Sequence, residues 1–314
     1  MTAAGPTVGI DIGGTKALGV RLAPDGAVLA ERRAETPAAS FEAIVATAAE
    51  LADALDDDGS PLGIGVAGYV DRAGVVRTSP NLSGLVDAPL REALAAASGR
   101  RVVVDNDANA AAVGEAAFGA ATGAGDVLLV TLGTGIGGGL VLGGSLYRGA
   151  NGGAGEIGHF TVDPSGPMCA CGEPGHWEAL ASGTAFGALG RERALAGSAP
   201  GLVARTGGDA GAVTGETVGE AAAAGDADAI AVVVEYAERV AIGLAGLAAI
   251  LDPATVVIGG GVCALGEILL TPLRAAFLDH VEGGDSRPAV RIVGASLGPR
   301  AGAIGAAVLA REAA

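Results

Sequence analysis

The chain has 314 residues, half of them hydrophobic, which is enough for about two domains with sizeable cores. Its formal net charge is −16, and because an acidic surface repels nucleic acid and anionic membranes, we expect neither as a partner. General solubility is the simplest role of that charge. The N-terminus has no basic segment or long apolar stretch, and the apolar residues 240–251 are too few for a membrane span of about 20 residues. We therefore expect a cytoplasmic protein.

Apolar segments separated by turn residues predict strands and helices in the first part of the chain. Ser40 is a plausible N-cap for a helix that runs to about Leu55, and an alanine-rich helix is predicted at residues 108–117. The predicted strands are residues 8–12, 17–22, 27–32, 63–67 and 102–104.

The second part of the chain repeats this plan. Asp226 is the predicted N-cap of a long helix that ends at Leu251, and further helices are predicted to begin at Ala264 and to cover residues 301–311. The predicted strands are residues 127–132, 137–142, 145–148, 255–258 and 291–295. Residues 10–20 and 130–141 share the order strand, glycine-threonine turn, strand, which predicts an internal repeat of domain size. Strands that alternate with helices predict an α/β chain with two related halves and a cleft between them.

The first glycine-threonine turn has the sequence DIGGTK, residues 11–16. Backbone N–H groups of Gly13 and Gly14 can reach phosphate oxygens because no side chain covers them. Thr15 can add a hydroxyl donor, and Asp11 can hold the hydration shell of Mg²⁺. Lys16, the only lysine of the chain, can add positive charge. An ordinary hairpin turn is the alternative, since Asp-Gly and Gly-Gly are common there.

Two further glycine loops follow predicted strands in the second half. One contains Gly133, Thr134 and Gly135, and the other is the run Gly259, Gly260 and Gly261. A glycine run that leads into a helix favours an anion or a nucleotide. Three such loops in matching halves favour ATP binding more strongly than each loop does alone.

Polar side chains lie at the end of the predicted strand at residues 102–104, where ligands of α/β sheets bind. Phosphoryl transfer needs a group that accepts the hydroxyl proton, and Asp107 suits that role. Asn106 could hold a neighbouring sugar hydroxyl. From the local sequence, Asp107 could equally be the N-cap of the helix that follows.

Two cysteines and two histidines lie close together in residues 159–176. Cys169 and Cys171 are one residue apart, with His159 and His176 on either side, a set with the character of zinc ligands. A Cys₂His₂ set is closed and structural, with no open position for water. A disulfide between the two cysteines would be strained and unexpected in the cytosol, and free thiols are the other alternative.

The motifs DIGGTK, LGTGIGGG and IGGG, in this order, resemble the phosphate and nucleotide motifs of the actin–hexokinase–Hsp70 superfamily. More narrowly, they resemble the ROK family of repressors, open reading frames and kinases, from Val8 to about Ala307. The resemblance implies an α/β fold of two actin-like, ribonuclease H-like domains flanking a cleft. The C-terminal helix then returns to the N-terminal domain. A smaller domain is expected at residues 1–112 and about 300–314, and a larger one at residues 113–299.

The resemblance also assigns roles to residues. The segment NDAN resembles the ROK segment whose aspartate is the general base, so Asp107 is expected to take the proton from the primary hydroxyl of a hexose. Asp105 is then expected to be structural. The segment PNLSG resembles a ROK sugar contact in which Asn81 forms the hydrogen bond, although Asn81 alone reads as a turn residue. Gly68 is expected to line the same site, and Leu85 stands where the family often has Trp.

Residues 156–178 resemble the ROK zinc signature, GH followed by CxCGxxGCxE. His176 stands where the third cysteine is usual, and a structural Zn²⁺ held by two His and two Cys is expected. The resemblance implies that Glu156, His159 and Glu178 face the sugar.

Together these motifs imply an ATP- and Mg²⁺-dependent kinase of a hexose. Glucose is the first expected substrate, because residues 156–178 resemble the corresponding segment of the family's glucokinases. N-acetylmannosamine, N-acetylglucosamine and fructose are alternative substrates, and ADP or polyphosphate are alternative donors. A homodimer or homotetramer is expected. A sugar-responsive repressor is the alternative of another class. It is disfavoured because DIGGTK begins about ten residues from Met1, which leaves no room for a DNA-binding domain.

Overall fold

A computed structural model describes residues 5–312 of the protein. These residues form two five-stranded sheets and one two-stranded sheet, together with ten α-helices and short 3₁₀ turns. The strands are β1 (Thr7–Ile12), β2 (Lys16–Leu22), β3 (Val28–Glu35), β4 (Leu62–Val66), β5 (Tyr69–Val70), β6 (Val76–Thr78), β7 (Val102–Asn106), β8 (Val127–Leu132), β9 (Ile136–Leu142), β10 (Ser145–Leu146), β11 (Thr255–Gly259) and β12 (Arg291–Gly294). The helices are α1 (Phe41–Leu55), α2 (Leu90–Ser98), α3 (Asp107–Phe118), α4 (Trp177–Ala181), α5 (Gly183–Leu195), α6 (Pro200–Arg205), α7 (Gly215–Ala223), α8 (Ala227–Leu251), α9 (Glu267–His280) and α10 (Ala301–Glu312).

The two large sheets have the same strand order. The first is β3-β2-β1-β4-β7 and the second is β10-β9-β8-β11-β12, so each begins with a hairpin and then adds two strands beside the first strand of that hairpin. β1 pairs antiparallel with β2 and parallel with β4, and β11 pairs parallel with β12. This shared order confirms the predicted internal repeat.

Two helix starts follow the predicted capping chemistry. The Ser40 hydroxyl accepts a hydrogen bond from the Ala43 N–H at 3.2 Å, and an Asp226 carboxylate oxygen accepts one from the Ala229 N–H at 3.0 Å. Each bond satisfies one of the N–H groups that the first turn of a helix leaves without a partner. The predictions for α1 and α8 are therefore confirmed to the residue at both ends.

The prediction of a helix beginning at Ala264 was wrong. Residues Gly261–Leu265 form a 3₁₀ turn, and the α-helix begins only at Glu267. Gly266 separates the two with φ 55°, a left-handed value that a continuous right-handed helix cannot contain. The third glycine loop therefore leads into a tight turn rather than directly into a helix N-terminus.

The described residues fall into two compact units. Of the described residues, unit 1 contains 5–129, 138–155 and 295–312, and unit 2 contains 130–137 and 156–294. The chain passes from one unit to the other within β8 and within β9. These units are defined by contacts, whereas the domain bounds expected from the sequence divide the chain into two related folds. The expected bounds therefore stay a prediction.

The C-terminal helix α10 lies in unit 1 and packs against β1, β4 and α3, as expected. This packing is so close that glycine is required at several contacts. A Cβ atom at Gly9 would overlap the Ala303 carbonyl, and one at Gly63 would overlap the Ala306 carbonyl. Nothing larger than glycine can stand there unless the helix moves away from the sheet.

A buried carboxylate fixes the chain just before α10. Glu115 is fully buried, and its oxygens accept hydrogen bonds from the N–H groups of Ala120 at 2.7 Å, Ser296 at 3.0 Å and Leu297 at 2.8 Å. Hydrogen bonds of this kind offset the cost of burying a charge.

Among the helices of residues 5–312, none is long and apolar enough to cross a membrane.

Candidate active site and metal cluster

The first glycine loop is the tight turn of the β1–β2 hairpin in unit 1. The Gly13 N–H donates to the Lys16 carbonyl at 3.1 Å, which closes a turn of three residues. A Cβ atom at Gly14 would lie 2.9 Å from Cβ of Asn81, so the missing side chain lets Asn81 approach the loop. Thr15 and Lys16 are exposed. The predicted sugar contact Asn81 thus lies against the predicted phosphate loop.

Two carboxylates, Asp11 and Asp107, come close together beside this loop. Gly65 on β4 lies next to both, because a Cβ atom there would be 3.8 Å from Oδ1 of Asp11 and 3.6 Å from Cα of Asp107. Burial, with the negative charge of Asp107, raises the pKa of Asp11 to about 7. Burial also raises the pKa of Asp107. Two like charges in a partly dehydrated place favour binding of a cation or a proton.

The alternative in which Asp107 is the N-cap of α3 is wrong. The N-cap is Asn106, whose side-chain oxygen accepts a hydrogen bond from the Asn109 N–H at 3.0 Å. Asp107 is the first residue of the helix, and its Oδ1 accepts from the Ala108 N–H at 2.9 Å. The Asp107 carboxylate is therefore not needed as a cap.

Asp105 and Asn106 hold this segment in place. Asp105 is buried, and its oxygens accept hydrogen bonds from Nδ2 of Asn109 at 2.8 Å and from Nε of Arg148 at 2.5 Å. Nδ2 of Asn106 donates to the Gly68 carbonyl at 3.1 Å. These contacts are what the structural role expected for Asp105 requires. They also occupy one donor and one acceptor of the Asn106 side chain.

Gly68 occupies a position that other residues cannot adopt. Its φ is 133°, and a Cβ atom there would overlap the Thr78 carbonyl. The Ser79 hydroxyl donates to the carbonyl of Ala67 at 2.6 Å, which ties together the turns on which Gly68 and Asn81 stand. Leu85, at the position where the family often has Trp, is fully buried in the core of unit 1. Its side chain is therefore not exposed for contact with a ligand. Unit 1 therefore brings together Asp11, Gly14, Gly68, Asn81, Asn106 and Asp107.

The second and third glycine loops meet in unit 2. Gly260, with φ 82°, lies so close to Leu132 at the end of β8 that a Cβ atom would overlap the Leu132 backbone. The carbonyl of Gly133 accepts from the Gly183 N–H at 2.7 Å, and the carbonyl of Thr134 accepts from the Thr184 hydroxyl at 2.8 Å. The start of α5 thereby fixes the second loop. Apart from the neighbouring residues in the chain, no atom of residues 5–312 lies within 4 Å of the Cβ position at Gly133 or Gly261, which leaves room beside both loops.

Glu178 links the second loop to the cysteines. Its Oε2 accepts a hydrogen bond from the Ile136 N–H at 2.9 Å, and its Oε1 lies 3.5 Å from Sγ of Cys169. A Cβ atom at Gly135 would overlap this carboxylate. Glu156, exposed at the start of the 3₁₀ turn Ile157–His159, accepts the His159 N–H at 3.1 Å through its carbonyl. The sequence did not reveal that Glu178 braces a glycine loop.

The four predicted metal ligands form one cluster in unit 2. One ligand atom from each of His159, Cys169, Cys171 and His176 lies within 4.8 Å of all the others. Sγ of Cys171 is 3.2 Å from Nδ1 of His176, and Sγ of Cys169 is 3.9 Å from Nδ1 of His159. Among the described residues, neither cysteine forms a disulfide. The strained disulfide considered above is thereby excluded for this structure.

The donor set fits zinc. Tetrahedral coordination with the usual zinc–sulfur and zinc–nitrogen bond lengths separates a sulfur from a nitrogen ligand by about 3.6 Å, between the two distances observed. Cys169 and His176 are buried, whereas His159 and Cys171 are exposed. Gly172, with φ 99°, turns the chain after the second cysteine, and the Gly172 N–H donates to the Cys169 carbonyl at 2.9 Å. Local turns therefore bring the four side chains together.

Residues 7–313 match the sequence profile of the ROK family. The chain belongs to the ROK family. This ROK chain is 39% identical over 312 residues to a glucokinase from Streptomyces coelicolor, with 98% of each chain covered. It is 35% identical over 315 residues to an N-acetylmannosamine kinase from Escherichia coli, with 97% of this chain and 98% of the relative covered.

A solved structure supports the same assignment. The crystal structure of a ROK family glucokinase from Streptomyces griseus in complex with glucose and AMPPNP matches this chain with a TM-score of 0.84. The two are 41% identical, and the match covers 98% of this chain and 100% of the other. The actin-like α/β fold expected from the motifs is confirmed.

Proposed function

We propose that this chain is an ATP-dependent hexokinase-type enzyme that converts glucose to glucose 6-phosphate, with Asp107 as the general base. The carrying observation is the pair formed by Asp11 and Asp107 beside the first glycine loop, in a chain of the family to which glucokinases belong. Phosphoryl transfer is mostly positioning and charge neutralisation, and such a pair offers both a proton acceptor and a cation ligand.

Asp107 carries the proton transfer in this proposal. Its Oδ1 accepts the Ala108 N–H at 2.9 Å, which orients the carboxylate, and the carboxylate takes the proton of the primary hydroxyl of the sugar in this proposal. Burial raises the pKa of Asp107, which makes it a stronger base than an exposed aspartate. Its position at the start of α3, after the rigid cap of Asn106, limits how far the carboxylate can move.

The other site residues divide into groups by role. Asn81, Asn106, Glu156, His159 and Glu178 are proposed to bind sugar hydroxyls, with Gly68 beside them. ATP phosphates are proposed to bind at Gly13, Gly14, Thr15 and Lys16, and the nucleotide also at Gly133, Thr134, Gly135, Gly259, Gly260 and Gly261. Asp11 would hold the hydration shell of Mg²⁺, which neutralises phosphate charge when it is bound. His159, Cys169, Cys171 and His176 would hold a structural Zn²⁺. We also propose that the active form is a homodimer or homotetramer.

A second substrate is favoured by one observation. The similarity to an N-acetylmannosamine kinase is nearly as high as that to a glucokinase, and both similarities cover almost the full chain.

Release of ADP, coupled to a dehydrogenase signal, should therefore be measured with glucose, mannose, fructose, N-acetylmannosamine and N-acetylglucosamine. We expect the highest kcat/KM with glucose. A higher value with an N-acetylhexosamine would move the assignment to that sugar.

The Asp107→Asn variant tests the general base. Loss of a general base typically lowers the rate by about 10²–10⁴-fold, so kcat should fall into that range while calorimetry still detects glucose binding. Asp57→Asn is a matched control, since Asp57 is exposed in the same unit and should leave kcat unchanged. A variant that turns over within about tenfold of the wild type would reject Asp107 as the base.

A further inference from the structure

A polar cavity lies in unit 1, lined by residues other than those of the first glycine loop. It has a volume of about 230 Å³ and lies beside β7, which is the edge strand of the first sheet. Its walls come from the end of β5 and the turn that follows it, from α2, from β7 and from the segment after β10. The lining residues are Val70, Asp71, Arg72, Gly74, Arg91, Val102, Val103, Val104, Asp105 and Arg148. None of the motifs singled out in the sequence explains this cavity.

Three arginines line the cavity, and the fold places each of them. The stem of Arg91 lies on the turn at Gly74, where a Cβ atom would be 2.7 Å from Cβ of Arg91, and the Arg91 N–H donates to the Gly74 carbonyl at 3.2 Å. Nη1 of Arg72 donates to the Gly149 carbonyl at 3.0 Å. Nε of Arg148 donates to Asp105 at 2.5 Å. Three positive side chains at one cavity stand out in a chain with a net charge of −16.

Most of the guanidinium donors remain available. Each arginine carries five N–H donors, whereas Arg72 and Arg148 each use one in the bonds given above. The guanidinium of Arg91 has no hydrogen-bond or ion-pair partner among residues 5–312. A cavity with several unused donors on planar, permanently charged groups is suited to an oxyanion.

The two carboxylates of the cavity already have partners, Asp71 outside the lining and Asp105 partly within it, at Arg148. Oδ1 of Asp71 accepts the N–H groups of Ala73 and Val75, at 2.8 and 3.0 Å, and Oδ2 of Asp71 accepts Nη2 of Arg77 at 2.6 Å. Asp105 accepts from Asn109 and Arg148, as described above, and also from the Asn106 N–H at 2.9 Å. Because these carboxylates are fully bonded, they need none of the donors of Arg72 and Arg91. The lining itself holds three arginines and two aspartates, which leaves an excess of one positive charge.

We propose that this cavity binds the dianionic phosphate group of a small phosphate compound, either inorganic phosphate or a sugar phosphate. Arg91 and Arg72 are its main ligands, and Arg148 contributes its remaining donors. The proposal does not depend on the kinase activity proposed above, because none of these arginines is placed in the catalytic or substrate-binding set. The volume is below the about 300 Å³ typical of the smallest drug-sized sites, which suits a ligand of this size.

Calorimetric titration of the full chain with inorganic phosphate, and in parallel with glucose 6-phosphate, tests the proposal. Each of Arg91→Gln and Arg72→Gln should raise the Kd about tenfold or more, because each removes charge-assisted hydrogen bonds. The matched control Arg205→Gln removes the same charge from an exposed arginine of unit 2 and should leave the Kd unchanged. A second control, Lys16→Gln, changes only the first glycine loop. The compound whose Kd both cavity variants raise identifies the source of the phosphate group.

A thermal measurement provides an independent readout. Phosphate should raise the Tm of the wild type, and this rise should disappear in both cavity variants. Arg72 and Arg91 are exposed, so both variants should unfold near the wild-type temperature when phosphate is absent. The proposal is overturned if no saturable binding occurs at millimolar phosphate or if Arg205→Gln weakens binding as much as the cavity variants do. It is also overturned if Lys16→Gln alone abolishes binding.

Discussion

The Cys–His cluster and the pair of Asp11 and Asp107 are assembled in different ways. The cluster is local, with all four ligands between residues 159 and 176, and tight turns bring them together. The pair is not local, because its two members lie on β1 and α3, and β4 and α10 pack beside them. A metal can hold a local cluster in shape, whereas the pair depends on the sheet and its helices.

This difference shows where each site is vulnerable. Removal of one ligand should prevent the cluster from binding metal. Because Glu178 contacts both Cys169 and the Ile136 N–H, the resulting disorder should also displace the second glycine loop. The pair should lose its geometry when a glycine that is distant in sequence but packed against Asp11 is replaced, even though neither carboxylate has been altered. The predictions below test these two expectations.

Removal of one zinc ligand should give the largest loss of stability. Cys171→Ser should eliminate bound zinc in elemental analysis and lower the free energy of unfolding by more than the roughly 0.5–3 kcal/mol typical of a point mutation. Cys263→Ser is the control, because Cys263 lies outside the cluster and its variant should keep the zinc. Protein purified without chelator that contains no zinc at all would contradict the metal assignment.

A spacer glycine should control the position of Asp11. In Gly302→Ala, the new Cβ would lie 2.7 Å from Cγ and Oδ2 of Asp11, so this carboxylate must move. We expect kcat/KM for ATP to fall about 10- to 100-fold with little change in Tm, since misplacement by about 1 Å can cost 10²-fold. Gly305→Ala is a contrasting variant, because its Cβ would overlap the Ala110 carbonyl and should destabilise the fold. Unchanged kinetics in Gly302→Ala would contradict the role given to Asp11.

Substitution of Glu178 should show whether the two regions are coupled. Glu178→Ala removes the acceptor of the Ile136 N–H, and loss of a hydrogen bond to a charged group costs about 1.5–3 kcal/mol. We expect a raised KM for ATP, whereas Glu178→Gln, which keeps an acceptor, should recover part of this loss. If both variants affect only the KM for sugar, Glu178 binds substrate without bracing the loop.

The smallest expected effect is a pH dependence of stability. The pKa of Asp11 is raised to about 7 in the folded chain, so the folded state binds a proton that the unfolded state releases at this pH. Stability should therefore rise as the pH falls through about 7, and the increase should end near the ordinary aspartate pKa of 3.8. Between about pH 8 and 6, metal-free wild type should gain about 1 kcal/mol relative to Asp11→Asn. Equal slopes in denaturant titrations of both proteins would contradict this burial.

The local features of the molecule could be predicted from the sequence. The hairpin at Asp11, the N-caps Ser40 and Asp226 and the ligand set of the cluster all depend on neighbouring residues. The same is true of the repeated hairpin that begins each sheet. The prediction of a helix beginning at Ala264 was wrong because of one local residue. Gly266, with positive φ, interrupts an otherwise helical pattern.

Features that depend on distant contacts could not be predicted. Glu115 reads as an ordinary residue of an alanine-rich helix, but in the fold it receives the chain that returns at Ser296. Gly302 reads as one small residue among many, although it makes room for Asp11. Helix α5 was missed because its alanine- and glycine-rich sequence carries a weak apolar period.

The single lysine of the chain makes the first glycine loop chemically addressable. Lys16 is exposed at the start of β2, and arginine supplies every other permanently charged cation among the side chains. Reagents that acylate amines should therefore modify one side chain, together with the N-terminus, and enzymatic lysine acetylation has one possible target. Protection of Lys16 from such a reagent would report occupancy of the loop directly, without any reference to catalysis.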